Sequence, residues 1–189
     1  MDLQAQYPGL LYNELLAEAH KAFANRLGVS SSATEDVAFG QSISQWRVFP
    51  DTVLALERLK KHYKLMVLSN VDNISFNSFT RPQLEPRGPG TIFDIVLTAQ
   101  DVGAYKPDPS MLQSALRALD REFGIKPEEV LVTAVSQFHD HKAANALGLA
   151  SSWIERPGAF MGLDDTATYD FKFETLGDMA EARERERGP

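Results

Sequence analysis

Residues Leu65–Leu68 are four consecutive apolar side chains, Leu-Met-Val-Leu, that stop at Ser69–Asn70 and give way to a polar segment. An apolar run without alternation reads as a strand buried on both faces, the kind found in parallel sheets. Polar groups placed where such a strand stops are where open α/β sheets bind ligands. The rest of the chain is arranged around this strand end.

The pattern on either side is consistent with it. Leu11, Leu15, Ala19, Ala22, Phe23 and Leu27 recur at helical spacing over Tyr12–Leu27, and Gly28 closes the helix. Ser30–Asp36 supplies cap candidates for a second helix over Thr34–Trp46, with Phe39, Ile43 and Trp46 on one face. A helix capped by Asp51 or Thr52 runs to about Lys61, ahead of the first strand. Thr80–Thr91, with three prolines, reads as a loop. Further strands are expected at Ile92–Leu97, Val130–Ala134, Ser152–Ile154 and Tyr169–Phe173. Helices fall between or after them, at Ser110–Phe123, Lys142–Leu147 and from Leu176 on, and Arg183–Pro189 is expected to fray. Strand–helix alternation with short connections calls for an α/β, Rossmann-like parallel sheet in three layers.

Composition narrows the function. The 189 residues, 43% hydrophobic, can bury one core, and a net charge of −7 argues against nucleic-acid or anionic-membrane partners. There is no cysteine, so no disulfide, thiolate zinc site or cysteine nucleophile. The start, Met1–Gly9, lacks an apolar signal-like core, and no apolar run reaches membrane-spanning length. The expectation is a cytoplasmic protein acting on a small molecule.

Three stretches hold groups suited to chemistry. Ser69 and Asn70 offer a hydroxyl and an amide at a strand end, either to hold an anion or to cap the next helix. Lys106, in Tyr105-Lys106-Pro107-Asp108-Pro109, is aimed by two prolines, though a solvated loop lysine is the plainer reading. Asp140 stands at a helix start in Phe138-His139-Asp140-His141, where a carboxylate ordinarily caps. His139 and His141 are two residues apart and point away from each other, a poor metal pair. Walker A, GxGxxG and GxSxG motifs are absent.

The order of these stretches resembles the haloacid dehalogenase superfamily, especially its 2-haloacid dehalogenase-like branch. The resemblance rests on Leu68–Phe76, Thr98–Leu112 and His139–Gly158 and covers almost the whole chain. It implies that residues 1–47 are part of a helical cap and residues 48–189 the α/β core. Ser69 and Asn70 match the second motif and hold substrate; Lys106 matches the third and balances the acidic groups; Asp140 matches the fourth and orients water. Trp153 and Arg156 match the end of a later strand, where core packing and a surface cation are the plainer readings.

The same resemblance marks departures. The nucleophilic Asp segment, expected on a strand lying between Leu65–Leu68 and Val130–Ala134, is not found, and Asp51 reads better as a helix cap. Two strand edges are then left without partners unless another segment, a partner or a homodimer completes the sheet. With no DxD pair and Ser136 four residues before Asp140, magnesium is disfavoured and no cofactor is expected. Leu112, Val135 and Gln137 replace an aromatic, a serine and an asparagine expected for haloacid hydrolysis. Three functions stay open: a hydrolase needing a supplied nucleophile, a non-catalytic binding module, and an enzyme turned to isomerase- or cyclase-type chemistry.

Overall fold

The computed structural model describes residues 3–7, 9–159 and 162–186. The Leu-Met-Val-Leu run forms strand β1 (Met66–Ser69), shifted by one residue so that the serine closes it. It pairs in parallel with β2 (Ile95–Thr98), Met66 facing Ile95 and Ser69 facing Thr98. A second parallel ladder runs β3 (Leu131–Ala134), β4 (Ala150–Ile154), β5 (Phe171–Phe173). Helix α4 (Pro109–Phe123) leads from β2 toward β3, and α5 (Lys142–Ala146) joins β3 to β4, parallel neighbours that require a crossover.

Earlier in the chain come α1 (Tyr12–Arg26), α2 (Ala33–Gln41) and α3 (Thr52–Lys60), and at the end α6 (Leu176–Arg185). Ser32 caps α2 through the Glu35 N–H, and Glu35 returns a bond to the Ser32 N–H at 2.8 Å. Helices α1 and α2 pack closely because Gly40 has no side chain. A Cβ there would lie 2.1 Å from the Asn13 carbonyl oxygen.

Helices cover both faces of the strands. On one face Leu112 and Ala115 of α4 pack with Met66 and Leu68 of β1, Val132 of β3, and Ala144 and Leu149. On the other, Ala55 and Leu59 of α3 meet Leu65, Leu176 and Ala180. The layers are those of a Rossmann-like α/β fold.

The sheet itself is divided. Strands β1 and β3 belong to different ladders, and a cavity of about 560 Å³ lies between their facing edges. That explains why β1 is only half-buried along its length rather than buried on both faces.

Several boundaries differ from the sequence reading, each for a local reason. The second strand starts at Ile95, since Ile92 and Phe93 are buried in the approach to it, their N–H groups donating to Glu85 Oε1 at 2.8 and 2.9 Å. The proline-rich loop contains a helical turn, Arg81–Leu84, with Pro82 in its first two positions. The second helix ends at Gln41 and continues as a tighter turn over Ser42–Gln45. Trp46 and Phe39 are exposed, not on a buried face. Arg183–Arg185 are helical within α6, and the expected fraying at 187–189 lies outside the described residues.

Glu85 exemplifies a buried charge that is fully answered. Burial opposes its ionisation, but the Ile92 and Phe93 N–H groups and Arg81 outweigh it and hold the carboxyl below its usual range. A depressed folded-state pKa stabilises above the unfolded value, and that stability is lost as pH falls through the folded one. Urea unfolding should therefore show Glu85→Ala costing about 2–4 kcal/mol at neutral pH. The gap between wild type and Glu85→Gln should narrow as pH drops below about 4.

Candidate functional site

Past the end of β1 the chain turns sharply, and Asp72 directs the turn. Its carboxylate accepts from the Ser75 N–H at 2.8 Å and the Ser75 hydroxyl at 2.7 Å, capping the short turn Asn73–Ser75. It also accepts from the Tyr12 N–H at 2.8 Å, fixing the start of α1 against the strand ends. Burial opposes the charge on Asp72, yet these donors keep its carboxyl below the usual range. The capping role considered for Ser69 and Asn70 thus belongs to Asp72. Burial pushes the phenols of Tyr12 and Tyr105 up, aided at Tyr12 by Tyr105 and at Tyr105 by Asp72.

Freed from capping, Asn70 grips the Lys106 backbone twice. Its amide nitrogen donates to the Lys106 carbonyl at 3.0 Å and its oxygen accepts from the Lys106 N–H at 2.7 Å. Downstream, Asp108 caps α4 through the Ser110 N–H at 2.8 Å and Pro109 opens the helix. Lys106 is therefore clamped on both sides. Its ammonium donates to the Leu68 carbonyl at 2.9 Å and to Asp140 Oδ1 at 2.7 Å. The side chains of this pair are 15% and 14% exposed, so the charges face each other more than water. The solvated-loop reading of Lys106 does not hold.

Asp140 lies in the turn Gln137–His141 after β3. Ser136, not Asp140, caps that turn, accepting from the His139 N–H at 3.2 Å, which leaves the Asp140 carboxylate to Lys106. His139 lines the cavity and its Nδ1 lies 2.8 Å from the Ser136 hydroxyl. His141 is buried, with Nε2 3.1 Å from the Ala134 carbonyl. The two histidines serve separate surroundings, and among the described residues no three His, Asp or Glu side chains gather into a metal-holding group. Ser69 stands half-buried at the tip of β1.

Two sequence readings change here. Arg156 is no surface cation: it makes paired bonds to Asp51 at 2.9 and 3.0 Å and lies over the Phe49 ring. Asp51 begins α3 without capping it, because its carboxylate goes to Arg156 and the Gly177 N–H. Arg156 holds that carboxyl below the usual range. Trp153 is core, donating to the Val135 carbonyl at 3.0 Å. Asp72 and the Leu68 carbonyl were missed; the only signal for Asp72 was an Asp three residues ahead of a Ser in a turn.

At the ends of β1 and β3, then, the Lys106 ammonium and the Asp140 carboxylate meet, and the Asn70 amide holds the Lys106 backbone. Among the described residues no helix is long and apolar enough to cross a membrane. Residues 8–133 match the family model described as haloacid dehalogenase-like hydrolase. The phosphoserine phosphatase of Thermus thermophilus is 28% identical over 120 residues, 63% of this chain and 45% of that protein. The chain spans less than half the length of the curated relatives it matches. Among solved structures, the L-2-haloacid dehalogenase PA0810 superposes with a TM-score of 0.71 at 27% identity, over 96% of this chain and 76% of that one. The L-2-haloacid dehalogenase of Xanthobacter autotrophicus, with chloropropionic acid covalently bound, gives 0.71 at 18% identity over 98% and 82%. At that identity the likeness shows the fold.

The double grip of Asn70 makes it a positioning residue for Lys106. Asn70→Ala should cost about 1–2 kcal/mol in urea unfolding. Asn70→Asp, which keeps the acceptor and loses the donor, should fall between it and wild type.

Proposed function

The chain belongs to the haloacid dehalogenase-like hydrolases, and from that premise we propose that the Lys106–Asp140 centre serves hydrolysis of a small substrate bearing a carboxylate. The observation that carries this reading is the Lys106 ammonium, held 2.7 Å from Asp140 and 2.9 Å from the Leu68 carbonyl at the strand ends. Phosphoserine and chloropropionic acid, which appear in the names of two similar proteins, both carry a carboxyl group.

In this reading the substrate carboxylate lies against the Ser69 hydroxyl and the amide hydrogen of Asn70 that Lys106 leaves over. The attacking group is a carboxylate supplied alongside the cavity, not one of these four residues. Its oxygen forms an ester with the substrate carbon as the leaving group departs with its bonding pair. Water positioned by Asp140 then cleaves the ester, releasing a hydroxy acid and restoring the carboxylate. Lys106 balances the charge throughout. Residues 1–47 act as a partial helical cap over a core of residues 48–189.

A magnesium ion does not fit the donor set. Asp140 has its Oδ1 already committed to an ammonium, and among the described residues no three His, Asp or Glu side chains gather there, whereas magnesium takes several oxygen ligands in strict octahedral geometry. A second reading, a binding module without turnover, draws support from the same fact: the ammonium already has two acceptors.

Calorimetric titration of the chain with 2-chloropropionate and with phosphoserine tests both. Saturable binding of either, weakened at least about ten-fold by Lys106→Ala, is expected for a charge-assisted contact. Binding that survives Lys106→Ala unchanged would remove the proposal. Because the attacking carboxylate has to be supplied, halide or phosphate release separates hydrolysis from binding alone only when it is assayed with an added Asp-bearing peptide.

A further inference from the structure

Asp140 is held in place by the residue that follows it. The turn Gln137–His141 is wide, with the Lys142 N–H donating to the Gln137 carbonyl five residues back, a geometry frequent at functional sites. It sends two neighbours to different partners. Asp140 meets the Lys106 ammonium, while His141 is fully buried with Nε2 3.1 Å from the carbonyl of Ala134, the last residue of β3. That second bond ties the turn to the strand it leaves.

A carbonyl only accepts, so Nε2 carries the imidazole proton and Nδ1 keeps a bare lone pair. Nδ1 is buried and has no hydrogen-bond partner. The ring stands edge-on to Tyr169 with 6.5 Å between centroids, and Tyr169 leans on Trp153 at 5.1 Å. The ionisable groups around it are few and engaged. Strands β3 and β4 carry none. Lys142 of α5 pairs with Asp164 at 2.9 Å, Asp140 with Lys106 at 2.7 Å, and His139 Nδ1 lies 2.8 Å from the Ser136 hydroxyl. Tyr169 presents its ring. An imidazolium at this place would hold a second N–H with no acceptor, which burial strongly disfavours. Opening the turn lets water take that N–H, so the open turn binds the proton better than the closed one. By linkage the open form then gains as pH falls.

We infer that His141 is a positioning residue for Asp140 and a proton-operated latch on it. The neutral imidazole holds the turn against β3, and its protonation releases the turn and parts Asp140 from Lys106. The latch concerns the geometry of the ion pair and holds whether or not that pair serves hydrolysis.

The test is an NMR titration of the isotope-labelled full chain from about pH 8 to about pH 5, across the ordinary histidine range. It follows the His141 ring nitrogens, the Asp140 carboxyl carbon and the Lys106 ammonium. At the upper limit Nε2 should be the protonated nitrogen. On acidification the Asp140 and Lys106 signals should move in one step with the imidazole, before the chain unfolds. His141→Gln keeps a donor for the Ala134 carbonyl but does not titrate, so it should retain the ion pair and lose the step. His141→Phe keeps a ring without a donor and should speed exchange of the Lys106 ammonium with water at least about ten-fold at every pH. Should either variant fail to fold, the wild-type titration decides alone. A proton on Nδ1 instead of Nε2 at the upper limit, an imidazole neutral until unfolding, an ion pair that ignores the imidazole step, or the same step in His141→Gln would each overturn the latch. No substrate is present, so the two readings separate: failed binding of 2-chloropropionate removes hydrolysis and leaves the latch, while an unmoved ion pair removes the latch and leaves hydrolysis.

Discussion

Two ladders that share no strand pairing are tied across their facing edges by the ammonium of Lys106. One acceptor, the Leu68 carbonyl, belongs to β1; the other, Asp140, follows β3. A lysine has three donors and a long flexible stem, so it would not hold this position unaided. Asn70 fixes its backbone through two bonds, and the capped start of α4 fixes the residues after it. Removing one partner of a pair this shielded from water leaves the other charge exposed to a poor solvent, a penalty on the order of 3–5 kcal/mol when the pair is buried.

Packing makes the same connection with apolar atoms. Helix α4 touches β1 and β3 through one cluster, so its inner face spans the division in the sheet. On the other face α3 and α6 are held together by Ala55, Leu59 and Ala180, with Arg58 paired to Glu184 at their edge. The Asp51–Arg156 pair fastens the start of α3 to the end of β4. The helical layers are continuous where the sheet is not. That combination gives a walled cavity with polar groups at the strand ends.

How far the sequence could be read depended on the range of the interaction. Periodicity located α1, α4 and the four longer strands to within a few residues, because burial of a helix stripe or a strand imprints itself on neighbouring positions. Ile92 and Phe93 misled that reading: they are apolar because they are buried, yet their N–H groups belong to Glu85 and not to a ladder. Asp51 and Asp140 both looked like caps, since a carboxylate before a helix usually is one. In the fold a distant cation claims each of them, Arg156 and Lys106. Asn70 was singled out as an amide that could hold substrate; in the fold its amide bonds to the backbone of Lys106 and aims it.

The amino-acid order by itself determined the class of fold and the strand ends that carry polar groups, and it put Ser69, Asn70, Lys106 and Asp140 forward as candidates. Those follow from local patterning and from a resemblance carried by short motifs. Only the tertiary structure decided which carboxylate meets which cation, which side chain caps which turn, and that β1 and β3 face each other across a cavity. The two ion pairs join residues 34 and 105 positions apart and leave other side chains to cap the turns, and the energy of such contacts depends on burial and distance, neither of which a linear pattern records.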